Sequence, residues 1–309
     1  MADKHARPQL GQVTDLHVHE SGTPGSSAIV FLHGVGNSGG IWASHMAGLT
    51  GYHCLAPDLP GFGRSNRVPW RSRIHTAELV ADLIAQRVPA RRAHVVGLSL
   101  GGSVTHTLLA RRPELLDRVV IDGCGALPWR GTGLLKLAVA AVSPFLHTRP
   151  VIAAVGRAAR LDDAARADLR AASPRAFRHG FADANDTVIS HAEIAADCPT
   201  LLVAGEAETR PPVRASNAAM AALMPDAEAR YVPGVGHGWI GRRPDLHLRM
   251  TAAWIEGHDL PSELRRETAP WDASAVTRLL DGQDSGADLD TGGDRARPPD
   301  RGAARSGET

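Results

Sequence analysis

Gly97-Leu98-Ser99-Leu100-Gly101 decides how this chain is read, because of what stands on either side of it. Ala93 to Val96 is a short apolar run of strand character, and Leu100 to Ala110 has the character of a helix, which Pro113 ends. A strand that turns straight into a helix tolerates only small residues beside the turn, hence glycine at both 97 and 101. The serine between them is lifted above the C-terminal edge of the sheet, with the positive end of the helix behind it. The string G-x-S-x-G is common by itself; the strand before it and Gly102 after it give it weight here.

Outward from this point the same rhythm repeats. Leu16-His17-Val18-His19 alternates as a short strand, and Ala28 to Leu32 is a continuous apolar run, as in a strand buried on both faces. Tyr52 to Ala56, Arg118 to Ile121, Thr200 to Ala204 and Ala229 to Val232 continue the series, with helical stretches at Ile41 to Leu49 and Thr76 to Gln86. Strands alternating with helices predict an α/β fold with a mainly parallel sheet and right-handed crossovers. Residues 127–195 interrupt the rhythm with helices (Leu134 to Val142, Pro150 to Ala159, Asp162 to Ala171) and no strand, which predicts a helical cap inserted between two sheet strands. The core is then 10–126 plus 196–260. Residues 261–309 form a C-terminal extension, and beyond Asp281 its Gly, Asp, Arg, Pro and Ser content predicts disorder.

Composition narrows the classes of function. The chain has 309 residues, 43% of them hydrophobic and 22% charged, with a formal net charge of +1. That balance gives no electrostatic argument for nucleic acid or an anionic membrane, so a small molecule is the expected partner. Cys54, Cys124 and Cys198 lack the close spacing of a zinc or redox motif and read as free thiols in a reducing compartment. The N-terminus has no secretory apolar run, and Gly133 to Leu146, interrupted by Lys136 and Pro144, is too short to span a bilayer. A soluble, cytoplasmic protein is expected. His17 and His19 share one face of a strand, but no third ligand is evident, so no metal site is expected.

A serine hydroxyl needs a base to become a nucleophile at neutral pH. Of fifteen histidines, His237 is placed for this, in Pro233-Gly234-Val235-Gly236-His237-Gly238 directly after the last strand. The imidazole in turn needs an acid to fix its tautomer. Glu206 and Glu208 both lie just past the strand that ends at Ala204, and Asp122 ends the strand before it.

These segments, with His33-Gly34-Val35-Gly36 and Asp58-Leu59-Pro60-Gly61-Phe62-Gly63-Arg64-Ser65, resemble the α/β-hydrolase superfamily over roughly residues 15 to 260. The order Ser, acid, His is that of the superfamily. The resemblance implies Ser99 as nucleophile, His237 as base and Glu208 as acid, three residues after Gly205, where aspartate is the usual residue. Asp122 is the alternative acid and Glu206 comes third. It also implies an oxyanion hole from the backbone N–H groups of Val35 and Leu100, with His33 and the Asp58-to-Ser65 segment as structural parts. The activity implied is hydrolysis of a small, hydrophobic carboxylic ester through an acyl-enzyme, with no cofactor. C–C bond hydrolysis, lactone hydrolysis and acyl transfer use the same parts. The apolar content of the cap (Leu134, Leu137, Val139, Phe145) suits a hydrophobic acyl or alcohol group.

Two readings from other classes compete. Gly34-Val35-Gly36-Asn37-Ser38-Gly39 matches G-x-G-x-x-G between a strand and a helix, with Asp58 nineteen residues on, the fingerprint of a dinucleotide-dependent oxidoreductase. That reading leaves Ser99, Glu208 and His237 unexplained. A non-catalytic binding protein of the same fold is the other, and the three residues of the triad argue against it.

Overall fold

The computed structural model describes residues 16–127, 132–158, 161–187, 198–208 and 213–267. The expected disorder beyond Asp281 lies outside these residues. Eight strands form one sheet: β1 (Val18–Ser21), β2 (Ala28–Leu32), β3 (His53–Pro57), β4 (Ala93–Leu98), β5 (Leu116–Asp122), β6 (Thr200–Gly205), β7 (Ala227–Val232) and β8 (Arg265–Arg266). Their order is β1-β3-β2-β4-β5-β6-β7-β8. All neighbours are parallel except the edges, where β1 runs antiparallel to β3 and β8 to β7.

The continuous apolar strands follow from cover on both faces. In β2, Ile29 and Phe31 point to one side and Val30 and Leu32 to the other, as the two-residue period requires. The first side packs on α1 (Ala43–Gly48) and α9 (Pro244–Glu256) through Met46, Met250 and Trp254. The second packs on α2 (Arg73–Arg87), α3 (Leu100–Arg111) and α8 (Val213–Leu223) through Val80, Ile84, Val104, Leu108 and Met220. From β2 the chain passes α1 to β3 on one flank, then crosses by α2 on the opposite face to β4 on the other flank. The loops after β2 and β4 therefore part at a topological switch point, where a crevice opens beyond the strand ends.

Between β5 and β6 stand four helices: α4 (Thr132–Val142), α5 (Arg149–Ala158), α6 (Asp163–Ala171) and α7 (Pro174–Asn185). The spacing predicts the first three; α7 begins at a cap made by Ser173, whose hydroxyl accepts from Ala176 N–H, with Pro174 at its first position. The apolar cap residues do not all turn inward. Leu134, Leu137 and Phe145 are 83%, 66% and 58% exposed, against the expectation that they line a pocket or pack the cap on the core. Leu146, Ile152 and Leu169 are buried instead. Periodicity defines a stripe on a helix but not which way the helix faces. Among the described residues no helix is long and apolar enough to cross a membrane.

The turn from β4 into α3 is packed to backbone contact. A Cβ on Gly101 would lie 2.1 Å from the Leu32 carbonyl oxygen, and one on Gly97 would lie 2.3 Å from Thr105 Oγ1 and 2.5 Å from the Gly101 oxygen. Gly101→Ala is expected to cost about 1–3 kcal/mol as an overpacked contact, lowering Tm by roughly 2–12 °C for a domain of this size. Gly51→Ala, where nothing lies within 4 Å, should leave Tm within about 1 °C. Equal melting temperatures for the two variants in calorimetry would refute this packing.

Candidate active site

Ser99 sits at φ 54°, ψ −110°; Arg91 and Ser99 are the non-glycine residues at positive φ among those described. Strain of this kind persists only where the surroundings fix it. Here Ser99 N–H donates to the Asp122 carbonyl (2.8 Å), and the Ser99 carbonyl accepts from Ser103 N–H (3.0 Å). The side chain is thereby raised over the strand end.

The His237 loop closes on it from the far side of the sheet. Glu206 N–H donates to Val232 O and Ala207 N–H to Val235 O, so the loops after β6 and β7 are interlocked. Glu206 is exposed and accepts from Gly234 N–H at 2.8 Å, which braces the histidine loop. His237 Nε2 lies 3.1 Å from Ser99 Oγ, and its Nδ1 lies 2.9 Å from Glu208 Oε2. A carboxylate only accepts, so Nδ1 bears the proton and Nε2 is free to accept from the serine hydroxyl. The other Glu208 oxygen accepts from Gly205 N–H at 2.7 Å.

Asp122 is directed elsewhere. Its Oδ1 accepts from the Trp239 indole (2.9 Å), and Oδ2 stands 3.6 Å from His247 Nε2, all three groups fully buried. Burial by itself depresses the His237 imidazole, which still keeps 55% of its side-chain surface open. The hydrogen bond and charge of Glu208, with the charge of Asp122, outweigh that and raise it above the ordinary value of 6.5.

The loop after β2 runs beside the serine: a Cβ on Gly34 would be 3.4 Å from Ser99 Cβ. Among the described residues no hydrogen bond takes the N–H of Val35 or that of Leu100, the first residue of α3. His33 donates from Nδ1 to the Gly34 carbonyl (2.8 Å) and accepts Leu59 N–H at Nε2 (2.9 Å). Burial pushes it down to about 4, so it is a neutral brace.

Asp58 is taken up by the turn it organises, accepting Gly39 N–H (2.7 Å) and His19 Nε2 (3.2 Å) at Oδ1 and Arg64 N–H (2.7 Å) at Oδ2. Asp58 is buried with both oxygens accepting hydrogen bonds, which counts against the dinucleotide reading. The fold does bring Asp58 within 4.8 Å of His17 and His19, the third group that the sequence did not reveal. With those backbone donors on Asp58 and Arg64 Nη1 3.5 Å from His17 Nε2, the cluster is a hydrogen-bonded turn rather than an open coordination sphere. Cys54, Cys124 and Cys198 are free and buried, and burial pushes their thiols up to about 11, about 12 and about 11, which leaves them inert.

Sequence reasoning missed Gly123. At φ 64° it lies under the His237 ring, where a Cβ would be 3.0 Å from Nδ1 and Cε1 and 3.4 Å from Glu208 Oε2. A glycine following a strand-end aspartate was the available signal. Trp239, two residues past the histidine, was missed as well.

Comparison with known proteins shows the family. Residues 29–249 match the Alpha/beta hydrolase family. An AB hydrolase superfamily protein of Gibberella zeae is 26% identical over 267 residues, 79% of this chain and 85% of the relative. A 2-hydroxy-6-oxononadienedioate/2-hydroxy-6-oxononatrienedioate hydrolase of Pseudomonas sp. is 27% identical over 117 residues; the match takes in 36% of this chain and spans 41% of that relative's length. In three dimensions the chain resembles a thermophilic esterase from Thermogutta terrifontis, with a TM-score of 0.65 and 20% identity over 78% of this chain and 93% of the esterase. With well over half of its length matched, the chain belongs to the alpha/beta hydrolase family.

Proposed function

We propose that the protein is a serine hydrolase that cleaves a small, hydrophobic carboxylic ester through an acyl-enzyme. The observation that carries this is the unbroken chain Ser99 Oγ, His237, Glu208, at 3.1 and 2.9 Å. His237 Nε2 takes the serine proton as Oγ attacks the ester carbonyl. The N–H groups of Val35 and Leu100 receive the developing oxyanion at the positive end of α3. His237 then protonates the leaving alkoxide and afterwards activates the water that releases the acid. Leu169 and Phe177, both 3.1 Å from where a Gly36 Cβ would sit, offer apolar surface beside that loop.

A second reading comes from the Pseudomonas relative, whose name specifies a 6-oxo acid as substrate. The same serine and histidine can attack a ketone carbonyl and break a C–C bond. A panel of p-nitrophenyl esters of increasing chain length, run beside a 2-hydroxy-6-oxo dienoate, separates the two by their kcat/KM ratio.

Ser99→Ala is expected to lower hydrolysis of the best ester by several orders of magnitude with an unchanged Tm. A fluorophosphonate should transfer its phosphonyl group to Ser99 with loss of fluoride, adding that mass to the Ser99 peptide of the wild type alone. Activity within threefold of wild type would sink the assignment of the nucleophile.

The acid is tested by pH. Neutral His237 is the competent base, so wild-type kcat/KM should fall as pH drops through a value above 6.5. Glu208→Gln removes the main causes that raise the imidazole and leaves burial, so the acid limb should move below that of the wild type. The plateau should drop by up to about ten-thousandfold. Asp122→Asn should shift the limb slightly and cost far less. A crippled Asp122→Asn beside a mild Glu208→Gln would reverse the roles of the two acids.

A further inference from the structure

We infer that Asp168, on cap helix α6, is a positioning residue: through Ser38 it latches the cap onto the loop that presents Val35. One carboxylate oxygen, Asp168 Oδ2, accepts both the Ser38 backbone N–H (3.0 Å) and the Ser38 hydroxyl (2.8 Å). The two residues are 130 positions apart, so this is a tertiary tie and not a local turn. With its proton given to Asp168, the Ser38 oxygen accepts from Gly40 N–H (3.2 Å) and caps the short 3-10 turn Gly39–Trp42. Ser38 is thus fixed by three hydrogen bonds, at its N–H and its hydroxyl, and is almost wholly buried.

The loop from Gly34 to Gly39 is held from two sides. From the core, Asp58 accepts Gly39 N–H. From the cap, Asp168 accepts Ser38, and the next residue, Leu169, reaches within 3.1 Å of a Cβ position on Gly36, as does Phe177 of α7. Gly36 itself is at φ 80°, a conformation with little side-chain restraint of its own, so the shape of the loop depends on these contacts. Val35 lies between Gly34, beside Ser99, and Gly36, under the cap. Moving α6 away would release Ser38 and with it the N–H of Val35.

The carboxylate does not sit there at no cost. Half-burial pushes the Asp168 carboxyl above its ordinary range, and the nearby Asp58 charge adds to this, while the two Ser38 bonds pull it back down. A desolvated carboxylate facing another carboxylate is retained only where donors are built for it. Charge-assisted bonds of this kind also specify geometry more sharply than apolar contact does.

The catalytic half of this inference rests on the proposed acyl-enzyme chemistry; the latch itself does not. The test compares Asp168→Ala, Asp168→Asn and wild type in the full chain, by hydrogen exchange of peptides covering residues 34–42 and by ester kinetics. Asp168→Ala should speed exchange at Ser38 to Ile41 and lower kcat on the order of 10- to 100-fold, as expected for lost charge-assisted bonds that position a reacting group, with a smaller change in KM. Asp168→Asn keeps an acceptor oxygen and should restore both readouts to within about threefold of wild type. Exchange in 34–42 unchanged in Asp168→Ala would overturn the latch, and faster exchange with unaltered kcat would overturn its positioning role. Faster exchange in a protein whose wild type cleaves no ester would leave the latch standing and discard the ester reading.

Discussion

The approach of α3 to β2 is the contact on which the site depends. Gly101 lies against the Leu32 carbonyl, and Gly97 against Thr105 and the first turn of α3, with no volume for a methyl group at either place. Once the helix is this close, Ser99 has no conventional backbone conformation open to it, and its φ of 54° follows. Strain of this kind costs about 1–3 kcal/mol. It is offset by the hydrogen bonds to Asp122 O and from Ser103 N–H and by the full burial of Leu100. Because β2 and β4 are neighbours at the switch point, the same contact brings Gly34 beside Ser99 and sets the loop after β2 over the serine.

Two carboxylates approach His237 from adjacent strands, and their surroundings set them apart. Asp122 ends β5 with its side chain sunk between Trp239 and His247, so its charge reaches His237 through the protein and not by contact. Glu208 follows β6 after a turn that points back at the imidazole. Its extra methylene, relative to aspartate, is taken up by a curl that returns Oε1 to the N–H of Gly205, the last residue of its own strand. A longer side chain therefore delivers Oε2 to Nδ1 without slack, because the second oxygen is tied down.

Much of this was legible in the sequence, for physical reasons that differ by segment. Ala28–Leu32 and Thr200–Gly205 are buried on both faces, so apart from Thr200, whose hydroxyl donates to Cys198 O, they carry no polar side chain and the strand bounds are plain. Ser99 stood out because close packing writes glycine on both sides of it, and His237 because its loop directly follows the last long strand of the series. Glu208 and Asp122 could not be ranked from residue type alone: both are acids at strand ends, and what separates them is which way a turn directs the side chain. The third partner of His17 and His19 was hidden for a related reason, since β1 pairs antiparallel with β3 and so meets Asp58 from a distant part of the chain. Helices α8 and α9 went unread because Ala-rich and mixed surfaces blur their stripe, and β8 is two exposed arginines at the sheet edge.

The cap shows where composition misleads. Its most apolar helix, α4, turns Leu134 and Leu137 to solvent and is tied to α7 by Lys136 and Asp186. The helices that grip the core are less apolar and do so by polar contacts. Asp183 of α7 accepts both the Trp70 indole and Arg73 N–H, and Thr187, just past α7, donates to Ser103 of α3. Asp168 of α6 takes Ser38. A buried hydrogen bond between helix and loop fixes direction as well as distance, whereas apolar packing alone tolerates sliding. Leu169 and Phe177, which border the loop after β2 at Gly36, are carried by the helices that these bonds hold.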